Sequence, residues 1–422
     1  MSTTFFVLAG EASGDLHGAK LLEALKSLEP SARFIGMGGP KMAAAGLEVA
    51  KDLDGMQVVG FWEVAKKYGF FRKVFYQLLD RVKQERPAAL LCIDYPGFNL
   101  RFAAEVRKLG IPCLYYIVPQ VWAWKPKRAA RMAEYIDRAY CVFDFEPPFF
   151  ERYRTAERKM QTVFVGHPLL DQPKPPRLEL PPGPKTVSYL PGSRPGEFSS
   201  HYKPMCHSLH AAQERAKPLR ALMSVPVPVP FRKYERAWMY LMGDWRGAFF
   251  TYPLGNYARE TYPMRAKQRR IITGPENEAA ILDKVIDSLF CNGMSHASML
   301  PALSDFSVVK SGTSTLEAGL QGNPMCVVYK SSWINYAIAR ALVDIPVFSL
   351  VNIVLGRYAV PELLQGEVNP ARIAAEIERG LTDQRYIEAQ RAALSELPAK
   401  LGGPGASLRA ARGMLDFLKG KE

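Results

Sequence analysis

The stretch Phe5-Phe-Val-Leu-Ala9, followed by Gly10-Glu-Ala-Ser-Gly-Asp-Leu-His-Gly18, decides the fold of this chain. The apolar run predicts a buried strand, and the glycine-rich turn leads into a helix predicted over Leu16–Leu28. A buried strand that passes through a short turn into a helix is typical of a parallel α/β sheet. Ligands of such sheets bind outside the carboxyl ends of the strands, so this turn is expected to form one wall of a ligand site.

The same alternation of apolar runs and helices recurs along the chain. Further strands are predicted at Arg33–Met37, Ala88–Ile93, Leu114–Val118, Arg138–Phe143 and Val163–Val165. The proline-rich stretch Asp171–Pro184 predicts a linker, after which the pattern restarts. The restart comprises strands at Thr186–Leu190, Ser307–Val309 and Met325–Tyr329 and helices at Met205–Lys217 and Thr313–Leu320, whereas a helix at Arg101–Leu109 belongs to the first half of the chain. No strand is assigned within Pro218–Leu289.

This pattern predicts an α/β protein with two doubly wound, Rossmann-like domains that face a cleft. The predicted boundaries are 1–180 for an acceptor- and membrane-side domain and 185–385 for a nucleotide-binding domain. A helical segment at 386–422 is expected to pack back on the N-terminal domain.

Composition narrows the partners and the compartment. Lys and Arg outnumber Asp and Glu by 55 to 41, which favours an anionic partner such as nucleic acid, a phosphorylated substrate or an acidic membrane. The six cysteines form no Cys-x-x-Cys pair and predict buried, reduced thiols in a cytosolic protein. The N-terminus lacks the basic region of a signal peptide, and no run of about 18 apolar residues occurs, so membrane contact is expected to be peripheral.

The first turn does not match the common nucleotide-binding fingerprints. Its glycines Gly10, Gly14 and Gly18 are spaced four apart, unlike the dinucleotide motif, and no Gly-Lys-Ser/Thr follows. Nicotinamide chemistry and ATP hydrolysis are therefore disfavoured. Four polar side chains in this turn are candidates for substrate contact: Glu11, Ser13, Asp15 and His17. The alternative is that Ser13 or Asp15 simply caps the helix.

A second cluster follows the strand that ends at Ile93. Asp94 lies directly at the carboxyl end of that strand, where a carboxylate can take a proton from a bound hydroxyl. The alternative is that Asp94 forms a turn before Pro96 and that Asn99 caps the next helix.

A third cluster is Val118-Pro-Gln-Val-Trp-Ala-Trp-Lys-Pro-Lys-Arg128. Trp122 and Trp124 offer flat apolar platforms for sugar rings, and the basic residues Lys125, Lys127 and Arg128 suit phosphate. The alternative is a partly buried aromatic hairpin.

Two turns of the second domain suit phosphate groups. Leu190-Pro-Gly-Ser-Arg194 places an arginine after a glycine-containing turn, and arginine binds phosphate through two parallel hydrogen bonds. Ser311-Gly-Thr-Ser-Thr-Leu-Glu317 opens a helix with small hydroxyl residues, and Glu317 lies one turn further, where it can reach ribose hydroxyls. Helix capping is the alternative for both.

Two other sets of residues have open interpretations. His201, His207 and His210 have no supporting carboxylates and predict a solvated helix face, so no metal site is expected. The segment Phe61–Lys83 interleaves aromatic and basic residues, a pattern that suits an anionic membrane interface or an ordinary helix with one buried face.

Taken in order, these motifs resemble those of the lipid-A-disaccharide synthase family. The resemblance rests on Gly10–Gly18, Gly36–Met42, Ile93–Asn99, Val118–Lys127, Gly166-His-Pro168, Leu190–Arg194 with Glu197, and Ser311–Glu317. It implies a glycosyltransferase B architecture. It also implies inverting, metal-independent transfer from UDP-2,3-diacylglucosamine to 2,3-diacylglucosamine 1-phosphate (lipid X), which yields the β-1,6-linked disaccharide 1-phosphate and UDP. No cofactor is expected.

The resemblance assigns a role to each candidate residue. Asp94 is the first candidate for the base, with His17 or Glu11 second, and Arg194 stabilises the leaving UDP. Substrate contacts are expected at Gly10, Ser13, Gly14, Asp15, Asn99, Gln120, Trp122, Trp124, Lys125 and His167. UDP contacts are expected at Gly192, Ser193, Arg194, Ser311, Gly312, Thr313, Glu317 and Asn352. Membrane contacts are expected at Phe61, Trp62, Lys66, Lys67, Phe70, Phe71, Arg72 and Lys73.

The expected partners are the two acylated sugars and an anionic membrane surface on the cytoplasmic face of the inner membrane. A homodimer is left open. One rival is a UDP-sugar 2-epimerase, which shares the phosphate turns but has no use for a membrane-seeking aromatic segment. The other is a nucleic-acid-binding protein, which only the charge suggests, since the basic residues are dispersed and match no nucleic-acid motif.

Overall fold

The structure is a computed structural model that describes residues 3–53, 55–56, 68–124, 127–155, 160–173, 183–192, 195–216, 219–224, 248–251, 296–331 and 347–420. Its contacts define two compact units. Unit 1 comprises Met1–Gln172 and Ala399–Glu422, and unit 2 comprises Pro173–Pro398.

Unit 1 is built on a parallel sheet with β1 near its centre. Its strands are β1 (Thr4–Ala9), β2 (Arg33–Met37), β3 (Leu47–Lys51), β4 (Ala89–Ile93), β5 (Cys113–Tyr116), β6 (Arg138–Cys141) and β7 (Gln161–Phe164). They are arranged in the order β3-β2-β1-β4-β5-β6-β7. The chain runs outward from β1 to β3 and then returns to place β4 on the other side of β1, so the switch point lies between β1 and β4.

Unit 2 repeats this arrangement. Its strands are β8 (Thr186–Leu190), β9 (Arg220–Ser224), β10 (Ala248–Thr251), β11 (Phe306–Lys310), β12 (Met325–Tyr329) and β13 (Glu362–Leu364). The order is β10-β9-β8-β11-β12-β13, again parallel, and its switch point lies between β8 and β11. Two Rossmann-like sheets confirm the predicted fold class.

Helices cover both faces of each sheet, as parallel sheets require. Those that precede the β8 strand are α1 (Ala12–Leu28), α2 (Pro40–Ala44), α3 (Tyr68–Glu85), α4 (Pro96–Arg107), α5 (Val121–Trp124), α6 (Lys127–Tyr135) and α7 (Glu146–Glu151). Those that follow it are α8 (Pro195–Ala216), α9 (His296–Ala302), α10 (Thr313–Leu320), α11 (Leu350–Leu355), α12 (Pro370–Thr382), α13 (Gln384–Leu394), α14 (Leu397–Lys400) and α15 (Ala406–Leu418).

The predicted and observed elements differ mostly at helix starts and edge strands. Helices α4 and α8 begin at Pro96 and Pro195, several residues earlier than predicted, because proline is well suited to the first helical position. The edge strand β3 was not predicted, because Leu47-Glu-Val-Ala-Lys51 has largely exposed side chains and lacks a continuous apolar run. Strands β9 and β10 lie within Pro218–Leu289, where no strand was assigned.

Alternate residues of β1 supply two separate cores. Phe6 and Leu8 pack in the cluster that includes residues of α3, α4 and α6. Phe5 and Val7 pack in the cluster that includes α1 and the C-terminal helix α15. All four side chains have no exposed surface, and burying an aliphatic or aromatic side chain of this size contributes about 1.5–3 kcal/mol. The C-terminal helix is therefore part of the core of unit 1.

The return of the chain to unit 1 is fastened by polar contacts. The Asp171 carboxylate accepts hydrogen bonds from the backbone N–H groups of Gly405, Ala406 and Ser407 at 2.6, 3.1 and 2.7 Å, at the start of α15. The Arg409 guanidinium donates to the carbonyl of Val165 at 2.8 Å. Asp171 was predicted to begin a linker. It instead ends a 3₁₀ turn and serves as a helix cap.

Gly166 makes room for the same attachment. It has a positive φ of 86°, and a Cβ atom there would lie 2.6 Å from an Arg409 Nη atom and 3.0 Å from the Leu401 carbonyl oxygen. His167 donates its backbone N–H to the Leu401 carbonyl at 2.8 Å. The Gly166-His-Pro168 motif therefore holds the C-terminal segment.

We expect Asp171→Ala to lower the free energy of unfolding by about 1–3 kcal/mol, because it removes a charged cap from α15. Urea denaturation followed by circular dichroism measures this. Asp80→Ala is the matched control, since Asp80 is exposed and pairs with Lys83 one turn away. Equal midpoints for the two variants would show that the cap contributes nothing beyond a surface carboxylate.

Candidate active site

The first turn lies at the switch point of unit 1, where Tyr95 covers Gly10. A Cβ atom on Gly10 would lie 2.2 Å from Cδ1 of the Tyr95 ring, so only glycine fits beneath it. Helix α1 begins at Ala12, and the extended residue Glu11 precedes it without a side-chain capping bond. Glu11 is half-buried and Ser13 is exposed. These two side chains are accessible at the start of α1.

Asp15 is occupied by the protein itself. Its side chain is buried and accepts hydrogen bonds from the backbone N–H groups of Gly39 at 2.9 Å, Lys41 at 3.1 Å and Met42 at 2.9 Å. It therefore caps α2 from a distance and holds the turn that follows β2. We reassign Asp15 from substrate contact to positioning of this neighbouring loop.

The turn after β4 holds two consecutive residues in a strained backbone conformation. Asp94 and Tyr95 have φ values of 45° and 52°, in the left-handed region that non-glycine residues seldom adopt. Ile117, which follows β5, has a φ of 58°. Each such residue costs about 1–3 kcal/mol, and such strain concentrates at functional sites. The turn is therefore imposed by its surroundings and is a candidate for catalytic use.

Hydrogen bonds to its backbone hold this turn. The Asp94 carbonyl accepts from the Asn99 side-chain amide at 2.7 Å and from the Tyr115 hydroxyl at 2.5 Å. The Tyr95 hydroxyl donates to the Met56 carbonyl at 2.9 Å. Because the main chain is held in this way, the half-buried Asp94 side chain has a defined place at the sheet edge.

Asn99 belongs to this scaffold and not to a substrate surface. It is fully buried, and its amide also donates to the carbonyls of Leu8 and Ile93, both at 3.3 Å. One side chain thus joins the ends of β1 and β4. We reassign Asn99 from substrate contact to support of the Asp94 turn.

Two histidines near this site are neutral at physiological pH. Burial lowers the pKa of His17 to about 4, against a smaller opposing effect of Asp171. Burial lowers the pKa of His167 to about 3, with a further contribution from His17. His167 Nδ1 accepts from the Leu169 backbone N–H at 3.2 Å, and its ring packs 5.4 Å from that of Phe143. We reassign His167 to the attachment of the C-terminal segment.

The aromatic motif after β5 is supported by a buried carboxyl group. Trp122 donates its indole N–H to Glu146 at 3.1 Å, and its ring meets Phe145 edge-on at 4.9 Å. Glu146 is fully buried and also accepts from the N–H groups of Val142 and Phe143 at 2.9 and 3.0 Å. Burial raises the pKa of Glu146 to about 7, against those hydrogen bonds. Trp122 is thereby held in one orientation.

Other residues of this motif are only partly described. Gln120 and Arg128 are exposed, so Gln120 remains available for substrate. Lys125 and the side chains of Trp124 and Lys127 lie outside the described residues.

In unit 2, two glycine turns meet at an ion pair. Gly192 follows β8 with a φ of 118°, and a Cβ atom there would lie 2.7 Å from Cβ of Glu197. The Glu197 carboxylate pairs with the Lys310 ammonium at 2.9 Å. Lys310 is the last residue of β11, directly before Ser311 and Gly312. Ser193 and Arg194 lie outside the described residues.

The start of α10 presents small groups, as predicted. Gly312 has a φ of 154°, and Thr313 at the first helical position is exposed. Ser311 is buried and donates to the Phe348 carbonyl at 3.4 Å. Glu317 is largely buried and accepts from the Ser298 hydroxyl at 3.3 Å.

Asn352 is structural in the described chain. It is fully buried, donates to the Val360 carbonyl at 2.9 Å and to the Glu362 carboxylate at 2.7 Å, and accepts from the Ala359 and Val360 N–H groups. We therefore reassign Asn352 from UDP contact to closure of the loop between α11 and β13.

The three histidines of α8 do not share one environment. His207 and His210 are exposed, as predicted. His201 is buried, accepts from the Lys330 backbone N–H at 2.8 Å and bonds the Glu197 carbonyl at 2.7 Å, so the prediction of a solvated face was wrong for it. Among the described residues, no group of histidine, cysteine and acidic side chains is arranged to hold a metal ion.

The basic aromatic segment is partly described, as helix α3. Phe61, Trp62, Lys66 and Lys67 lie outside the described residues. Phe70, Arg72 and Lys73 are exposed, whereas Phe71 packs against the core of unit 1. Phe71 therefore packs as expected for an ordinary helix with one buried face, whereas Phe70, Arg72 and Lys73 form an exposed aromatic and basic face. Within the described part of the chain, every helix is too short or too polar to cross a bilayer.

Sequence reasoning missed three residues of these sites: Tyr95, Glu146 and Lys310. Tyr95 precedes Pro96, a pattern that indicates only a turn. Glu146 lies 24 residues from its partner Trp122, so no local pattern connects them. Lys310 ends an apolar strand, and a single cation at the carboxyl end of a predicted buried strand is the sequence feature that could have indicated a role in ligand binding.

Comparison with known proteins assigns this chain to a family. The model of the family described as Lipid-A-disaccharide synthetase matches residues 5–237 and 266–404. The lipid-A-disaccharide synthase of Anaeromyxobacter dehalogenans (strain 2CP-1) is 38% identical over 99% of this chain and 98% of its own. That of Geobacter sulfurreducens is 33% identical over the same shares. The unmatched residues 238–265 fall within Pro218–Leu289, where no strand was assigned from the sequence.

Solved structures share the fold at low sequence identity. The S. aureus MnaA–UDP structure has a TM-score of 0.63 at 12% identity and covers 99% of this chain and 97% of its own. A calicheamicin glycosyltransferase gives 0.55 at 14%, with shares of 99% and 98%. A Neisseria meningitidis UDP-GlcNAc 2-epimerase bound to UDP-GlcNAc gives 0.53 at 10% and covers both chains fully.

These likenesses show the two-domain glycosyltransferase B fold alone, so the epimerases are relatives by fold. The sequence relatives decide the family. Because the family model spans both units and relatives above 30% identity align with nearly the whole chain, this protein belongs to the lipid-A-disaccharide synthase family of glycosyltransferases.

Proposed function

We propose that this chain transfers diacylglucosamine from UDP-2,3-diacylglucosamine to lipid X, with Asp94 as the base. Family membership makes it a glycosyltransferase of lipid A assembly. The observation that carries the assignment of the base is the strained turn of Asp94 and Tyr95 at the switch point of unit 1. Such a turn is maintained only where the surrounding contacts impose it.

In this mechanism Asp94 removes the proton of the acceptor hydroxyl while that oxygen attacks the anomeric carbon. The bond between that carbon and the UDP oxygen breaks on the opposite face, so the configuration inverts. The proton stays on the carboxylate, and both electrons of the broken bond leave with UDP.

Glu11 and His17 are the alternative bases. A pKa of about 4 makes His17 no stronger a base than a carboxylate, so its histidine character offers no advantage at neutral pH. Glu11 is half-buried directly before the start of α1. Asp94 remains the first choice because its main chain is held by Asn99 and Tyr115.

The leaving UDP is assigned to unit 2. Gly312 leaves room for a phosphate oxygen beside its backbone, whereas Glu197 fills the corresponding space at Gly192. The start of α10 favours negative charge. Arg194, Ser193, Ser311 and Thr313 are proposed to complete the phosphate contacts, and Glu317 to bind ribose. In the absence of a metal ion, such donors would stabilise the departing charge.

The acylated substrates call for access from a membrane, which the outer face of α3 is proposed to provide. The exposed aromatic residues Tyr68, Phe70 and Tyr76 flank the exposed cations Arg72 and Lys73 there. Basic and aromatic groups of this kind bind anionic interfaces. This supports peripheral attachment to the cytoplasmic face of the inner membrane.

Incubation of the chain with UDP-2,3-diacylglucosamine and lipid X tests the proposed function. We expect mass spectrometry to detect the disaccharide 1-phosphate and an equal amount of UDP, dependent on both lipids. UDP release without lipid X, or epimerised UDP-sugar, would contradict the proposal.

Asp94→Asn should lower turnover by about 10²–10⁴-fold while binding of the UDP donor persists, because it removes the base and leaves unit 2 unchanged. Asparagine tolerates the left-handed conformation, so the turn should persist. Asp144→Asn, an exposed aspartate after β6, is the control. Near wild-type turnover of Asp94→Asn would exclude Asp94 as the base.

Glu146→Leu should raise KM for the acylated substrates more than it lowers kcat, since it removes the acceptor of the Trp122 indole N–H without touching the reacting atoms. Trp122→Phe should have a similar effect, and the double variant should be little worse than either single one. Glu151→Leu, at an exposed residue of the same helix, is the control. Additive effects would show that Glu146 does not act through Trp122.

Combined replacement of Phe70, Arg72 and Lys73 by serine should weaken binding to vesicles that contain anionic lipid, as measured by co-sedimentation. The matched control replaces Leu28, Lys108 and Arg154 by serine, which removes the same charge and a side chain of similar exposure, 36% against 38% for Phe70. Equal vesicle binding by the two triple variants would place the membrane contact elsewhere than α3.

A further inference from the structure

Lys310 holds its ammonium group where the two phosphate turns of unit 2 meet. Its side chain retains only 16% exposure, and its Nζ atom lies 3.7 Å from the position of a Cβ atom on Gly312. Nζ also lies 5.8 Å from the centre of the Tyr329 ring. A long cationic side chain is thus ordered beside the start of α10, although most lysines extend into solvent.

Glu197 keeps the ammonium in this place. Its carboxylate pairs with Lys310 at 2.9 Å, while its Oε2 atom lies 2.8 Å from the position of a Cβ atom on Gly192. Glu197 is therefore packed over the turn that follows β8, and Lys310 belongs to the turn that follows β11. His201 bonds the Glu197 carbonyl within α8 and accepts a hydrogen bond from the Lys330 backbone N–H after β12, which ties the first turn of α8 to the carboxyl edge of the sheet.

This ion pair differs from an ordinary surface pair on the same two strands. Lys185 and Asp305 precede β8 and β11 and pair at 3.0 Å at the opposite edge of the sheet, where Lys185 is 63% exposed. Ligands of doubly wound sheets bind at the carboxyl edge, which carries Lys310. The chain thus provides two lysine–carboxylate pairs that differ mainly in the edge of the sheet on which they lie and in how deeply they are buried.

We propose that Lys310 is a pyrophosphate-binding residue of the donor site, positioned by Glu197. The inference rests on the proposed function and deepens it, because it adds a cation to the predicted Arg194. Nζ donates a charge-assisted hydrogen bond to a phosphate oxygen of a nucleoside diphosphate. Lysine acts there as a point charge, and the site therefore favours a diphosphate over the bare nucleoside.

Isothermal titration of the full chain with UDP, UMP and uridine tests this role. Lys310→Gln should weaken UDP binding by about 10- to 100-fold, the usual effect of losing a hydrogen bond to a charged group, and should leave uridine binding unchanged. Lys310→Arg should restore most of the UDP affinity. Lys185→Gln is the matched control and should bind all three ligands as the unaltered chain does.

Two results would overturn the inference: equal UDP affinity of the Lys310→Gln and Lys185→Gln variants, or an equal loss of UDP and uridine binding in Lys310→Gln. Lys310→Met, which keeps the apolar stem, replaces the glutamine variant if that variant does not fold. The disaccharide assay separates this outcome from failure of the proposed function. If the unaltered chain forms the disaccharide but Lys310→Gln binds UDP normally, only the inference about Lys310 is rejected. If Lys310→Gln loses affinity for UDP selectively but the unaltered chain forms no disaccharide, the proposed lipid substrates are rejected instead.

Discussion

The parallel pairing of β1 with β4 is the interaction on which the rest of unit 1 depends. Phe5 to Ala9 pair in register with Ala89 to Ile93, so the two chains leave the sheet side by side at its carboxyl edge. Both strands are buried on both faces, which gives this pairing no freedom to slip without exposing a core. The glycine turn after β1 and the strained turn after β4 are adjacent for that reason alone.

Two side chains that were candidates for substrate contact, and one that was not, maintain the contact between the two turns. Asn99 joins the ends of both strands, Asp15 holds the loop after β2, and the Tyr95 ring lies on Gly10. Asp94, Glu11 and Ser13, in contrast, are half-buried or exposed at the carboxyl edge of the sheet. A buried polar side chain whose donors are all engaged stabilises the fold. Turning it toward a substrate would cost free energy, because buried backbone groups would lose their hydrogen bonds.

Unit 2 uses the same geometry with a different polar core. Its switch point brings Gly192 and Lys310 together through the pairing of β8 with β11. Glu197 then fills the space above Gly192 and neutralises Lys310. The C-terminal segment is the other departure from a simple repeat, since Asp171, Gly166 and Arg409 fasten α15 to unit 1 after the chain has completed unit 2.

The sequence by itself determined the two parallel α/β sheets, most central strands and the positions of the ligand turns, because buried parallel strands and glycine turns are local patterns. The family resemblance likewise followed from the order of local motifs. Only the tertiary structure decided which polar residues face a site. Asp15, Asn99 and Asn352 are buried and bonded within the fold, and Glu146 and Lys310 lie beside predicted site residues, through hydrogen bonds and ion pairs to partners on other elements. Such partners leave no periodic signal in the sequence, since the pairing of side chains depends on strand order and not on spacing along the chain.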